Sequence, residues 1–156
     1  MEKEFLQAVH DNQKIIFKVC SIYRDNKVDQ EDLYQEIVYQ LWKSFPSFKH
    51  QSKISSWMYR IALNTAMTVY RKKKLMVEYV EDLPEQKQAS PENLPSENGE
   101  RLFSALRKLN DAEKAVISLF LEDFSYQEIA TITGLSETNI GVRLNRIKSK
   151  LKKIIN

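Results

Sequence analysis

SYQEIATITGLSETNIGVRL, residues 125–144, is the stretch on which the fold turns. Ser125 followed three residues later by Glu128 is a capping box, in which a hydroxyl and a carboxylate satisfy each other's orphan backbone N–H groups. It predicts a two-turn helix over Tyr126–Thr133. Gly134 then stands where a sharp turn needs positive φ, which glycine adopts without steric cost. Ser136 caps a second helix that carries Ile140, Leu144, Ile147, Leu151 and Ile154 inward at helical spacing. Ala130 is small where two crossing helices approach, and Ile129, Leu135, Ile140 and Leu144 are placed to seal the crossing. The pattern reads as a helix-turn-helix, whose second helix enters the major groove of DNA. An ordinary helical hairpin with a solvated basic face is the alternative.

Ser136, Glu137, Thr138 and Asn139 open the second helix, where side chains reach base edges. Asparagine pairs bidentately with adenine, glutamate accepts from cytosine, and threonine touches a thymine methyl. Arg143, Arg146 and Lys148 are expected on phosphates. From Gly134 onward the chain holds six basic residues and one acidic, an electrostatic footprint for a polyanion. Upstream, Leu102, Phe103, Leu106 and Leu109 mark one helix. Asn110 with Glu113 forms a second capping box, for a helix lined by Ala115, Val116, Leu119, Phe120 and Phe124.

Charge divides the chain in three. Residues 77–100 hold seven acidic side chains and one basic, and three of the four prolines (Pro84, Pro91, Pro95). Acidic, apolar-poor sequence buries too little surface to order itself, so 77–99 reads as a linker; an acidic loop packed on one domain is the alternative. The flanking parts, 1–76 and 100–156, are both basic. About 20 extended residues reach at most roughly 70 Å.

Residues 1–76 read as helices. Phe5, Leu6, Val9, Ile15, Ile16, Val19 and Ile22 recur at helical spacing. Asp29 is expected to cap a helix over Gln30–Lys43, with Asp32 in its first turn and Leu33, Ile37 and Leu41 on its inner face. Pro46 ends it. After a polar loop, Ser47–Lys53, a helix is expected from about Ile54 to Lys73, with Ile54, Trp57, Met58, Ile61, Ala62, Thr65 and Val69 as its buried stripe. Two constellations stand out. Phe48, Trp57, Tyr59 and Tyr70 interleave with Lys49, Lys53, Arg60 and the run Arg71, Lys72, Lys73, Lys74, with Asn64 one turn beyond Arg60. Aromatic faces stack unpaired bases while cations follow the backbone; plain core packing of the aromatics is the alternative. Asp32, Gln35 and Glu36, at i, i+3 and i+4, share a helix face. That face suits a protein partner, or it compensates the positive helix end.

Composition removes other classes. With 156 residues, one Cys, three Gly and two His, the chain has no partner for a disulfide within itself. It has no Cys/His cluster for a metal and no glycine-rich phosphate loop. No apolar run of about 18 residues is present to span a membrane, and Met1–Gln7 lacks the features of a signal peptide. Cys20 reads as a small buried hydrophobe. Few Gly and Pro among many Leu, Ile, Lys and Glu favour helix. The expectation is a cytoplasmic, all-α protein of two small helical domains, with no cofactor and no enzyme signature.

Asp32-Leu33-Tyr34-Gln35-Glu36 with Leu41-Trp42, then Trp57-Met58-Tyr59-Arg60-Ile61-Ala62-Leu63-Asn64, then Ser125-Tyr126-Gln127-Glu128-Ile129-Ala130 and Gly134-Leu135-Ser136 resemble, in order and spacing, a bacterial sigma factor of the extracytoplasmic-function (ECF) subfamily. The resemblance implies that residues 1–76 bind the β′ clamp of core RNA polymerase through Asp32, Gln35 and Glu36. It implies that they open the −10 promoter element through Lys49, Lys53, Trp57, Arg60, Asn64, Arg71 and Lys72. It further implies that residues 100–156 read the −35 element through Ser136, Glu137, Thr138, Asn139, Arg143, Arg146 and Lys148, and dock on the β flap. Many family members are held inactive by an anti-sigma factor, often membrane-bound. Leu63, Thr68 and Gly141 depart from the family pattern of an arginine, an acid and a lysine. Alternatives to this reading are a stand-alone helix-turn-helix regulator and a nucleic-acid enzyme subunit.

Overall fold

The computed structural model describes residues 1–50, 52–72 and 97–155, with side chains described outside 69–72 and 97–98. The helices are α1 (Glu2–Asp11), α2 (Gln13–Tyr23), α3 (Lys27–Ser44), α4 (Ile54–Lys72), α5 (Glu97–Leu106), α6 (Asp111–Leu121), α7 (Tyr126–Thr133) and α8 (Glu137–Ile155), with one 3-10 turn at Phe45–Ser47. No strand occurs among the described residues, and the fold is all-α. Two compact units result. One comprises Met1–Cys20 with the described part of Asn26–Leu94, the other Ser21–Asp25 with the described part of Pro95–Asn156. Most of the expected linker, 77–96, lies outside the described residues; 97–99 belong to α5, which starts three residues before Glu100.

The first unit is held by α3 against α4. Leu33, Ile37 and Leu41 fall on one face at i, i+4 and i+8, and Tyr34 and Val38 widen it; all five are buried. Opposite them α4 presents Met58, Ala62 and Ala66, also buried. Two alanines in successive turns let the helix axes come close, and each fully buried large aliphatic stabilises by about 1.5–3 kcal/mol. Phe5 and Val9 of α1, and Ile16, Val19 and Cys20 of α2, complete the core.

Two expectations need correction here. The α3 cap is Asn26, not Asp29: Asn26 has extended backbone (φ −128°, ψ 159°) and accepts from the Asp29 N–H at 2.8 Å. Its amide in turn donates to the Asp29 carboxylate at 2.8 Å, so the helix starts three residues earlier. The buried stripe of α4 is also turned. Ile54, Trp57 and Ile61 are only half-buried, while Tyr59 and Leu63 are buried beside Met58, Ala62, Thr65 and Ala66. Thr65 is tolerated there because its hydroxyl donates to the Ile61 carbonyl at 2.7 Å. Leu63 fills the core.

In the second unit both capping boxes are formed. Asn110 and Glu113 exchange bonds of 2.8 and 3.0 Å, and Ser125 and Glu128 bonds of 3.1 and 2.9 Å. Gly134 ends α7 in the left-handed region (φ 80°, ψ 6°), its N–H bonded to the Ala130 carbonyl at 2.8 Å. Ile129 of α7 and Ile140 and Leu144 of α8, expected to seal the crossing, are completely buried, as are Ile147, Leu106, Val116 and Leu119; Leu135, expected in the same seal, is only half-buried. Leu102, expected inside, is exposed on α5.

A Cβ on Gly134 would meet nothing within 4 Å, so an alanine there suffers only the backbone cost of the left-handed region. We expect Gly134→Ala to destabilise the second unit by about 1–2 kcal/mol, measured by denaturant unfolding. An unchanged midpoint would show that the turn does not depend on glycine.

Candidate nucleic-acid interface

The turn after Gly134 projects the start of α8 into solvent. Ser136 is the cap: its Oγ accepts from the Asn139 N–H at 3.1 Å. Glu137, Thr138 and Asn139 are all exposed, while Ile140, one residue on, is completely buried. The helix is therefore anchored along one side and open along the other. Nineteen residues of α8 at about 1.5 Å each make a rod of roughly 28 Å, and the major groove it would enter is about 12 Å wide.

The side chains on this rod are not equally available. Arg146 is exposed. Arg143 is half-buried, and its Nε donates to Asn139 Oδ1 at 2.6 Å. That bond uses one of the two acceptor positions of the Asn139 amide oxygen and leaves the other for pairing with an adenine. The Lys148 ammonium lies 4.8 Å from the centre of the Phe120 ring, a cation–π contact within the unit. Lys150 pairs with Glu113. The outward face also carries Val142 and Asn145, both exposed, which spacing alone did not single out. Their phase relative to Ile140, Leu144 and Ile147 was the available signal.

Glu113 ties the cap of α6 to α8. Burial by itself would push its carboxyl up. The hydrogen bonds from Lys150 and the Asn110 N–H, with the charges of Lys150 and Arg143, outweigh that and hold it below the usual carboxylate range. A depressed carboxylate contributes stability above its unfolded pKa and loses it as pH falls through the folded one.

In the first unit a chain of rings runs from the core to the loop before α4. Phe5 meets Trp42 (5.1 Å between centroids) and Phe45 (5.4 Å); Trp57 meets Phe45 (6.1 Å) and Phe48 (4.9 Å); Phe48 meets His50 (4.6 Å). Trp57 is half-buried as one link of this chain. His50 (φ 57°) sits at its outer end. Lys49, Lys53, Arg60 and Asn64 are exposed. The Arg71 and Lys72 side chains lie outside the described residues. Tyr59, grouped with these aromatics from spacing, is instead in the core.

The α3 triad is graded rather than open. Asp32 is exposed, Gln35 half-buried, and Glu36 only 6% exposed. Glu36 Oε1 accepts from Gln40 at 3.2 Å, and Oε2 is buried without a hydrogen bond. Tyr34, two residues earlier on α3, is buried against Phe17, and burial pushes its hydroxyl up to about 12. No cluster of metal-ligating side chains occurs among the described residues, and no described helix is long and apolar enough to cross a membrane.

Residues 8–75 match the family model for sigma-70 region 2, and residues 99–151 that for sigma-70 region 4. The chain belongs to the sigma-70 family. Among its relatives are the RNA polymerase sigma factor SigV of Bacillus subtilis, 30% identical over 89% of this chain and 83% of its own, and the ECF RNA polymerase sigma factor EcfG of Rhodopseudomonas palustris, 30% identical over 80% and 70%. The sigma factor RpoE of Bartonella quintana, solved in complex with the anti-sigma factor NepR, shares the fold. Its TM-score is 0.67 at 21% identity, covering 99% of this chain and 95% of that one. The chain is thus an ECF sigma factor, a protein of promoter recognition and transcription initiation. Its region 4 match covers α6, α7 and most of α5 and α8, and its region 2 match contains α3 and α4.

Glu113→Gln in this sigma factor should cost about 1 kcal/mol at neutral pH, the scale of a lost cap interaction. The deficit should shrink as pH drops below the ordinary carboxylate range, where the wild type loses the same contribution. Denaturant midpoints at neutral and acid pH report this; a deficit independent of pH would contradict the ion pair.

Proposed function

We propose that residues 1–76 act at the polymerase clamp and the −10 element, that 77–99 join the units, and that 100–156 read the −35 element. The observation that carries this reading is the open, capped start of α8, held against α7 at Gly134 with its basic side outward. Arg146 and Arg143 lie on phosphates, and Ser136, Glu137, Thr138 and Asn139 approach the bases. Lys148, now over Phe120, reaches a phosphate only by leaving that ring.

In the first unit, Trp57 and Phe48 offer faces to an unpaired base, while Lys49, Lys53, Arg60, Asn64, Arg71 and Lys72 follow the strand. Unstacking a base costs a few kcal/mol, and an aromatic face returns about 1–3 kcal/mol. Support comes from the outer position of Phe48 and His50 and from the exposed cations around them. Asp32 and Gln35 meet the β′ clamp directly. Glu36, being buried, orders the face from beneath through Gln40. The second unit docks on the β flap, and an anti-sigma factor binds the chain; the similar RpoE of Bartonella quintana is solved in complex with one. The protein works in the cytoplasm, beside the polymerase, and performs no chemistry of its own.

Two variants separate the surfaces. Asp32→Lys with Gln35→Lys should abolish capture of core RNA polymerase while leaving the helical circular dichroism spectrum unchanged; Glu36→Lys is unsuitable, because it would bury a cation. Arg146→Ala should keep capture and lower the salt slope of holoenzyme binding to promoter duplex by about one. Capture retained by the first variant, or an unchanged slope in the second, would contradict the assignment.

A further inference from the structure

Gly141 and Val142 are adjacent residues on α8 that the unit's own packing does not explain. Val142 is 45% exposed. It lies two residues from buried Ile140 and two from buried Leu144, about 200° round the axis from each. It therefore stands near the middle of the outward face, between Thr138 one turn earlier and Asn145 and Arg146 one turn later. A branched apolar side chain gains nothing there from the core. Gly141 is equally unexplained from within. A glycine inside a helix is less stable than alanine, yet a Cβ built at 141 would meet only the Tyr126 ring, at 3.6 Å, an ordinary contact. Space for a methyl group exists and is left empty. Tyr126 is itself 41% exposed at the start of α7, so Tyr126, Gly141 and Val142 make one small apolar step on an otherwise polar and cationic face.

We propose that this step is a specificity determinant: Val142 seats against the 5-methyl group of a thymine in the −35 major groove, and Gly141 stays bare so that the base edge can approach the helix backbone. Thymine is the only base that presents a methyl group in that groove, and apolar side chains are what distinguish it. The cations Arg143, next in the chain, and Arg146, one turn on, favour a nucleic-acid occupant over an apolar protein segment. The inference rests on the −35 reading of α8, and the test separates the two.

Holoenzyme assembled from the full chain and bacterial core RNA polymerase is used to select from a duplex library randomised across the −35 hexamer. The wild type should enrich a sequence with a fixed thymine, and Val142→Ala should lose the preference at that one position while keeping the others. Replacing that thymine by uracil in the selected duplex removes only the methyl group. It should weaken wild-type binding about fourfold, the transfer free energy of one methyl group, and leave Val142→Ala unaffected. Gly141→Ala should raise the thermal midpoint of the chain by a few degrees and still weaken binding to the selected duplex.

No enrichment by the wild type would overturn the −35 reading and the inference with it. Enrichment that Val142→Ala reproduces at every position would overturn the inference alone. Gly141→Ala binding as tightly as wild type would remove glycine from the step.

Discussion

The second unit depends on the packing of α7 across α8. Ile129 of α7 and Ile140, Leu144 and Ile147 of α8 are fully withdrawn from water, and Gly134 in the left-handed region turns the chain sharply between the two helices. Everything proposed for DNA reading follows from what this seal leaves outside. Once 140, 144 and 147 point inward, helical geometry obliges 138, 142, 145 and 146 to point outward. The crossing thereby sets which chemistry the face displays, and the capping boxes at Asn110 and Ser125 fix where each helix begins.

The first unit solves a different problem, which is to hold an aromatic surface at the edge of a core without burying it completely. The ring chain from Trp42 through Phe5, Phe45 and Trp57 to Phe48 and His50 is anchored at one end by α1 and α3 and reaches the loop before α4 at the other. Trp57 is thus both a packing residue and a half-open face. Its packing leaves one part of the ring uncovered, which is what the proposed base contact requires.

Features whose cause is local were legible in the sequence. The capping boxes, the glycine turn and the α3 stripe each rest on residues a few positions apart, and each is present. The α3 cap is ambiguous in the sequence because Asn26 and Asp29 are both competent caps three residues apart; Asn26 is the cap and Asp29 its hydrogen-bond partner. What depends on a distant element was not legible. The turned stripe of α4 follows from which side α3 covers, the burial of Glu36 from the breadth of the α3 stripe, and the engagement of Lys148 and Lys150 from Phe120 and Glu113, far off in sequence. Val142 is the opposite case: the helical phase already placed it outward, but an apolar residue is habitually assigned to a core.

The most direct measurement is mapping of RNA 5′ ends made by core RNA polymerase on sheared genomic DNA of the source bacterium, with and without the full chain. The account predicts start sites that appear only with the chain and share two upstream elements at fixed separation, one of them lost when Arg143 and Arg146 are replaced by alanine. Start sites independent of the chain, or dependent on it without any shared upstream element, would contradict it.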